Sequence, residues 1–514
     1  MRYGNELSGG VVSRGYTVVA VILLACSQRQ ATFDPAPAPA PATPPPPPSS
    51  QETTVSKEPI AGVEGATLGV ETPDPVVPSD ADVVTTQSTE PQAAGGFEAR
   101  RDAAIAPVSA AVDAGPPLDA GGTMAEPVGP PDVRCRSGEA PEERTEYAEP
   151  GPFTSATFEV TVQDASRPIE ATESHPAAPA RVLLTRVYYP SQGPTTVLAP
   201  PPVADGGPFP VLMYSHGYSS SRDESNRVGH HAATHGFIVV APDFPLTNIG
   251  ANSGQPDVMD LAHQPADVSF LVDWMLAQAQ DPSHRLFGQV DPDRIGALGV
   301  SLGGLTTLLV AFHRDMLDPR IKAIAPIAAP SFFFTERYYA TRELPMLLIH
   351  GDLDAFIDYG SNARIAYDRA APNARLLTVI DGSHTGFGAP VDGALLGLVQ
   401  PIFAPPEAHP QNPDGLGCGY VAAGLAGTGP EFLQVLGGAE VGVESSEDQN
   451  AQSLPCQGDE FTMPALDLNR QMDILARSVV AFFEAHFAAD EARRQEACRY
   501  LLEEVPLDAA VHLE

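Results

Sequence analysis

The chain has 514 residues, 54 of them proline, with 65 acidic against 29 basic side chains and a formal net charge of −36. That length suits one large domain or two to three ordinary ones. The acidity excludes a nucleic-acid partner, because holding phosphates takes basic surface.

The N-terminus reads as an export signal over residues 1–25. Arg2 and Arg14 supply positive charge, and Tyr16 to Ala25 is an apolar run too short to span a bilayer as a permanent helix. It ends in Leu23-Leu24-Ala25-Cys26-Ser27. This resembles the lipobox of bacterial lipoproteins, which implies lipidation at Cys26 and a cell-envelope location, lipid-anchored or otherwise secreted or periplasmic. Residues 26–145 carry Pro-Ala alternation from Pro35, the run Pro44 to Pro48, and long Ala/Thr/Ser/Asp/Glu stretches. They lack hydrophobic periodicity and predict a disordered tether with a reach of roughly 60 Å.

From Phe153 the pattern turns to strands. Phe153 to Val162 and Arg181 to Tyr189 predict an antiparallel pair, and Pro208 to His216 a buried strand. Glu224 to His235 predicts a helix, Phe237 to Asp243 a strand, and Gln264 to Gln280 a helix with Val268, Leu271, Val272 and Met275 on one face. Further strands are expected at Ile321 to Ile327, at Met346 to His350 and, last, at Leu376 to Ile380, with a helix from about Tyr359. Buried apolar runs alternating with helices predict an α/β class: a mostly parallel sheet flanked by helices. Residues 386–465 are Gly/Pro-rich without clear periodicity and read as a cap or surface insertion. Gln471 to Phe487 and a charged segment through Leu502 predict the closing helices of a domain spanning 146–505.

The organising stretch is Asp293 to Leu305, a short strand, a tight turn and a helix. Its turn, Gly299-Val300-Ser301-Leu302-Gly303, fits the G-x-S-x-G nucleophile elbow. Glycine on either side of Ser301 leaves room for a strained turn, and the helix N-terminus beyond favours developing negative charge. A serine nucleophile needs a base, a carboxylate to orient it, and donors for the oxyanion. Past the strand at Met346 to His350 lie Asp352, Asp354 and Asp358. Gly351-x-x-Asp354 matches the hydrolase pattern for the orienting acid, with the other two as rivals or as turn caps. His384, just past the last expected strand, completes the chain order Ser301, Asp354, His384. The expected oxyanion donors are the backbone N–H groups of Leu302 and of Tyr218, in Ser215-His216-Gly217-Tyr218. Phe332, Phe333, Phe334 and Tyr338 either line an acyl pocket or pack under the insertion.

With Cys26 set aside, Cys135, Cys418, Cys456 and Cys498 form an even set for an oxidising compartment. Three pairings are possible. Cys418–Cys456 is favoured, inside one insertion, leaving Cys135–Cys498. His231 and His235, four apart, lack the glutamate of H-E-x-x-H, and no cysteine cluster has zinc-ligand spacing.

These stretches, with Asp164 to Pro168, Arg186 to Pro190, His235 to Asp243 and Gln264 to Val268, resemble the predicted dienelactone hydrolase group of the α/β-hydrolase superfamily. That group is related to platelet-activating-factor acetylhydrolases and, more distantly, to cutinase-like polyester hydrolases. Where true dienelactone hydrolases carry cysteine at the elbow, this chain has Ser301. The resemblance implies a cofactor-free serine hydrolase of small or lipid-like carboxylic esters, and the lipobox at Cys26 implies that an N-terminal lipid anchor ties it to a membrane. A peptidase, a thioesterase and a noncatalytic ligand-binding lipoprotein are the alternatives.

Overall fold

The computed structural model describes residues 147–514 except 173, 194–199, 252–254, 371, 373, 389–403, 419–428 and 447–454. The expected signal, Cys26, the tether and Cys135 lie outside the described residues.

A nine-stranded sheet runs in the order β1-β2-β4-β3-β5-β6-β7-β8-β9. β1 (Thr154–Asp164) and β2 (Arg181–Ser191) form the antiparallel lead-in pair. β2 then pairs antiparallel with β4 (Ile238–Asp243). From β4 through β3 (Phe209–Ser215), β5 (Val290–Val300), β6 (Ile321–Ile327), β7 (Met346–Gly351) and β8 (Ala374–Val379) the sheet is parallel. Parallel neighbours put all their carboxyl ends on one rim, where ligands bind in open α/β sheets.

Side-chain alternation splits the core in two. Val211 and Met213 of β3 join one layer with α2 (Gln264–Gln278) and α3 (Leu302–Phe312). Leu212 and Tyr214 join the other, with α1 (Asn226–Thr234) and α4 (Leu468–Phe487). Strands buried on both faces read as largely apolar runs, as Phe209 to Met213 of β3 and Met346 to Ile349 of β7 do.

Two motifs of the resemblance meet in a buried ion network. Arg167 bridges Asp164 (2.6 Å) and Asp267 (2.7 Å). Arg181, at the start of β2, reaches Asp260 at 2.7 Å and Asp267 at 2.6 Å. The network ties the lead-in hairpin to the first turn of α2.

Several expectations need correction. The helix expected from Glu224 opens as a 3-10 turn, Arg222–Ser225, before α1 begins at Asn226. The one expected near Tyr359 opens as a π turn, Gly360–Arg364. The strand at 374–379 is not the last: β9 (Val511–Leu513) pairs antiparallel with β8, so the sheet extends beyond residue 505. Three residues are too few for alternation to register in a sequence. The insertion holds a helix, Gly429–Val435, and the expected Cys418–Cys456 disulfide. Cys498, on α5 (Glu491–Arg499), is also disulfide-bonded.

Candidate active site

Ser301 sits between β5 and α3 with φ 56° and ψ −117°, a backbone region that side chains disfavour and that persists only where the surroundings enforce it. The enforcement is visible at the flanking glycines. A Cβ at Gly303 would lie 1.9 Å from the Ser215 carbonyl oxygen, and one at Gly299 would lie 2.5 Å from that same oxygen. The Ser301 N–H donates to the Ile327 carbonyl (2.8 Å), fixing the elbow to β6. Leu302 follows as the first residue of α3, where early backbone N–H groups have no intrahelical acceptor.

Asp354 lies beyond β7 and His384 beyond β8, two strands side by side on the same rim. His384 Nδ1 is 2.7 Å from Asp354 Oδ2. An ionised carboxylate only accepts, so Nδ1 carries the proton and Nε2 is left as the basic nitrogen. Asp354 is saturated: Oδ1 accepts the Phe356 (2.9 Å) and Ile357 (2.8 Å) N–H groups, and His350 Nε2 stands 3.1 Å from Oδ2. Burial alone would raise the Asp354 carboxyl, but the His384 charge and hydrogen bonds from His350 and His384 outweigh it and hold it down to about 2. For His384, burial pulls the pKa down while the charge and hydrogen bond of Asp354 pull it further up, leaving it above the ordinary histidine value.

The loop after β3 is braced from several sides. His216 Nδ1 donates to the Gly217 carbonyl (2.7 Å), and its Nε2 accepts the Phe244 N–H (3.0 Å) past β4. Burial lowers the His216 pKa, which keeps the neutral tautomer that this pair of bonds requires. A Cβ at Gly217 would lie 3.5 Å from Ser301 Cβ and 3.3 Å from Glu224 Oε2, so this loop walls the nucleophile. Glu224 is buried, accepts the Gly217 N–H (3.1 Å) and the Tyr214 hydroxyl (3.1 Å), and is pushed by burial up to about 7. Its charge and that of His384 act on each other. Tyr218 is anchored through its hydroxyl to the Pro256 carbonyl (2.9 Å). Among the described residues no hydrogen bond joins the Ser301 hydroxyl to His384; in ligand-free sites such a contact is commonly long and tightens in the complex.

The base loop is also gripped from α4. Gln471 Nε2 donates to the Ser383 carbonyl (2.7 Å), and its Oε1 accepts the Ser383 N–H (3.1 Å). The rival carboxylates cap turns: Asp352 Oδ1 accepts the Asp381 N–H (2.7 Å), and Asp358 Oδ1 accepts that of Ser361 (2.7 Å). Of the aromatic group, Phe333, Phe334 and Tyr338 are buried in the core, with Phe334 stacked on Tyr338 at 3.8 Å and bridged to Val443 of the insertion. Packing under the insertion is therefore their role, and Phe332 is partly buried beside them.

Three groups around the site escape a reading of the sequence. His350 stands four residues before Asp354, a spacing that gives no signal on a strand end. Glu224 passes as an ordinary helix-start acid. Asp414, in Asn412-Pro413-Asp414-Gly415, reads as a turn, yet it accepts the backbone N–H groups of Ala355, His384 and Thr385.

Residues 159–390 match the model of the PET hydrolase-like (PETase) family. Cutinase est1 of Thermobifida alba is 26% identical over 182 residues, covering 35% of this chain and 50% of that protein. Cutinase 2 of Thermobifida cellulosilytica is 24% identical over 212 residues, covering 41% and 68%. Chlorophyllase-2 of Arabidopsis thaliana is 29% identical over 165 residues, covering 32% and 44%. The chain thus spans between 44% and 68% of the length of these relatives. A ferulic acid esterase from Streptomyces cinnamoneus superposes with a TM-score of 0.40 at 18% identity, over 67% of this chain and 95% of that one.

Proposed function

We propose that this chain, which is similar to the cutinase-like, PET hydrolase-like group of α/β-hydrolases, is a serine hydrolase of carboxylic esters. The observation that carries this reading is the 2.7 Å contact of His384 with a fully desolvated Asp354, on the same rim as the strained Ser301 elbow.

In the proposed reaction Ser301 Oγ attacks the ester carbonyl carbon as His384 Nε2 takes its proton. The carbonyl π electrons move to oxygen, and the oxyanion is received by the backbone N–H groups of Tyr218 and Leu302. Asp354 stabilises the imidazolium without taking its proton. The tetrahedral adduct collapses, the C–O bond to the alcohol breaks, and His384 returns the proton to the leaving oxygen. Water then attacks the acyl-enzyme by the same route, releasing the acid and restoring Ser301. No cofactor enters this scheme.

Short acyl groups are the favoured substrates, because the aromatic segment that would serve a long chain is spent on packing. Lipidation at Cys26 and the 26–145 tether would hold the domain off a membrane surface after export. The test is fluorophosphonate labelling mapped to Ser301, alongside p-nitrophenyl esters of rising chain length and a peptide. Labelling with a preference for acetate or butyrate esters supports the proposal. A folded sample that takes no label, or that cleaves only the peptide, overturns it.

A further inference from the structure

The insertion supplies a carboxylate to the heart of the site. Asp414 is fully buried, and its two oxygens receive backbone N–H groups from both loops that carry the proposed acid and base. Oδ2 accepts from Ala355 (3.1 Å), next to Asp354, and from His384 itself (2.9 Å). Oδ1 accepts from Thr385 (2.8 Å).

The segment bearing Asp414 is itself secured to the acid loop. The Asp414 N–H donates to Asn412 Oδ1 (3.0 Å), and Asn412 Nδ2 donates to the Glu460 (3.0 Å) and Met463 (3.2 Å) carbonyls. Just past Asp414, Cys418 is joined by a disulfide to Cys456, whose N–H donates to the Ala355 carbonyl (2.6 Å) in the acid loop. Ala355, Phe356, Ile357, Cys418 and Phe461 form a separate small core. Its Phe356 ring stands 4.9 Å from the His384 ring, and Gly417 leaves the space that Phe356 fills: a Cβ there would lie 2.3 Å from the ring. All of these insertion residues lie beyond the stretch 159–390 that matches the PET hydrolase-like model, so this arrangement is additional to the matched part.

We propose that Asp414, next to the Cys418–Cys456 disulfide, is the positioning residue that keeps the acid loop and the base loop in register for catalysis. The proposal rests on Asp354 and His384 being the orienting acid and the base. Asparagine in its place keeps one acceptor oxygen but sets its amide NH2 against a backbone N–H at the other position, so the three N–H groups of the two loops can no longer all be accepted. Direct contacts between the loops remain, such as Leu353 N–H to the Gly382 carbonyl (3.0 Å), so the fold survives the change. A shift of about an ångström at reacting groups costs about 100-fold.

The test compares wild type, Asp414→Asn and the double variant Cys418→Ala/Cys456→Ala, as full chains, on p-nitrophenyl acetate. Asp414→Asn is expected to lower kcat about 10- to 100-fold with KM within about twofold. The carboxylates facing His384 are Asp354, Asp414 and Glu224, with His350 acting through Asp354. Losing the Asp414 charge lowers the His384 pKa, so the acid limb of kcat/KM moves to lower pH, which a general loss of folded protein would not produce. The cysteine variant keeps that charge and is expected to lose kcat with a smaller movement of the limb. Wild-type kcat in both variants, or an unmoved acid limb in Asp414→Asn, overturns the proposal. Fluorophosphonate labelling separates the two levels: an unlabelled wild type removes the hydrolase reading and this inference with it, whereas a labelled wild type beside fully active variants removes only the inference.

Discussion

His350 Nε2 stands 3.1 Å from the same Asp354 oxygen that receives His384 Nδ1 at 2.7 Å, so two imidazoles converge on one carboxylate atom. Because His350 also reaches the Ile357 carbonyl at 2.7 Å, it holds the turn after β7 as well as the acid on it. Replacing it as His350→Ala removes the Nε2–H that Asp354 Oδ2 and the Ile357 carbonyl share. A fall in kcat of about tenfold is expected, the worth of one hydrogen bond to a charged group. Steady-state kinetics on p-nitrophenyl acetate checks this, and an unchanged kcat would show the contact to be idle.

The pH dependence follows from charge signs. A general base works only when neutral, and Asp354 raises His384 above its ordinary value of 6.5. The acid limb of kcat/KM is therefore expected above pH 6.5 in the wild type. Glu224→Gln removes the partial negative charge of a carboxyl that burial pushes up to about 7, and moves that limb down by less than loss of Asp414 does. For stability the two partners act in opposite directions. The raised His384 contributes below its unfolded pKa and loses that contribution as pH rises through its folded value. Asp354 contributes above 3.8 and loses its share as pH falls toward about 2. Urea midpoints across pH for wild type and Asp354→Asn check the second arm.

At the elbow, activity and stability are opposed. Ser301 holds a conformation that glycine adopts freely, so Ser301→Gly is expected to abolish turnover and raise stability by about 1 kcal/mol. Ser301→Ala removes turnover equally and keeps the strain. Thermal melts of the three proteins read the difference, and equal melting temperatures would mean the turn stores no strain.

Arg181 neutralises two buried carboxylates at once, Asp260 and Asp267. Arg181→Ala leaves both without that partner, which costs about 3–5 kcal/mol in such settings. Denaturant unfolding measures this, and a loss below about 1 kcal/mol would place the network among weak surface pairs.

The N-terminal anchor is separable from the chemistry. Cys26→Ala, expressed in a bacterial host, is expected to lose incorporation of labelled palmitate and to move from the detergent phase to the aqueous phase on Triton X-114 partition. Labelling that persists in the variant would exclude lipidation at Cys26.

What the sequence made legible is local. A strand end followed by Gly-x-Ser-x-Gly, by Gly-x-x-Asp or by Gly-Ser-His announces itself within a few residues. The structure then sets Asp354 and His384 just beyond the ends of adjacent strands, with Ser301 on the same rim. Parallel strands betray themselves by unbroken apolar runs, whereas the three residues of β9 are too few to do so. Glu224 and Asp414 act on backbone N–H groups that are seven and about thirty to sixty residues away in the chain, and no spacing rule encodes such partners. The aromatic run from Phe332 is ambiguous in the sequence for a related reason. Whether rings face a ligand or a neighbouring layer depends on what the insertion places over them.

The side chain of Gln471 treats Ser383 as a neighbouring strand would, offering one N–H and one C=O to a peptide that has one of each. Few residues can imitate a backbone in this manner. Glutamate lacks the hydrogen, lysine lacks the acceptor, and asparagine is one methylene short. Sampling all twenty amino acids at this position under selection for turnover should return glutamine almost alone, although the side chain touches no reacting atom.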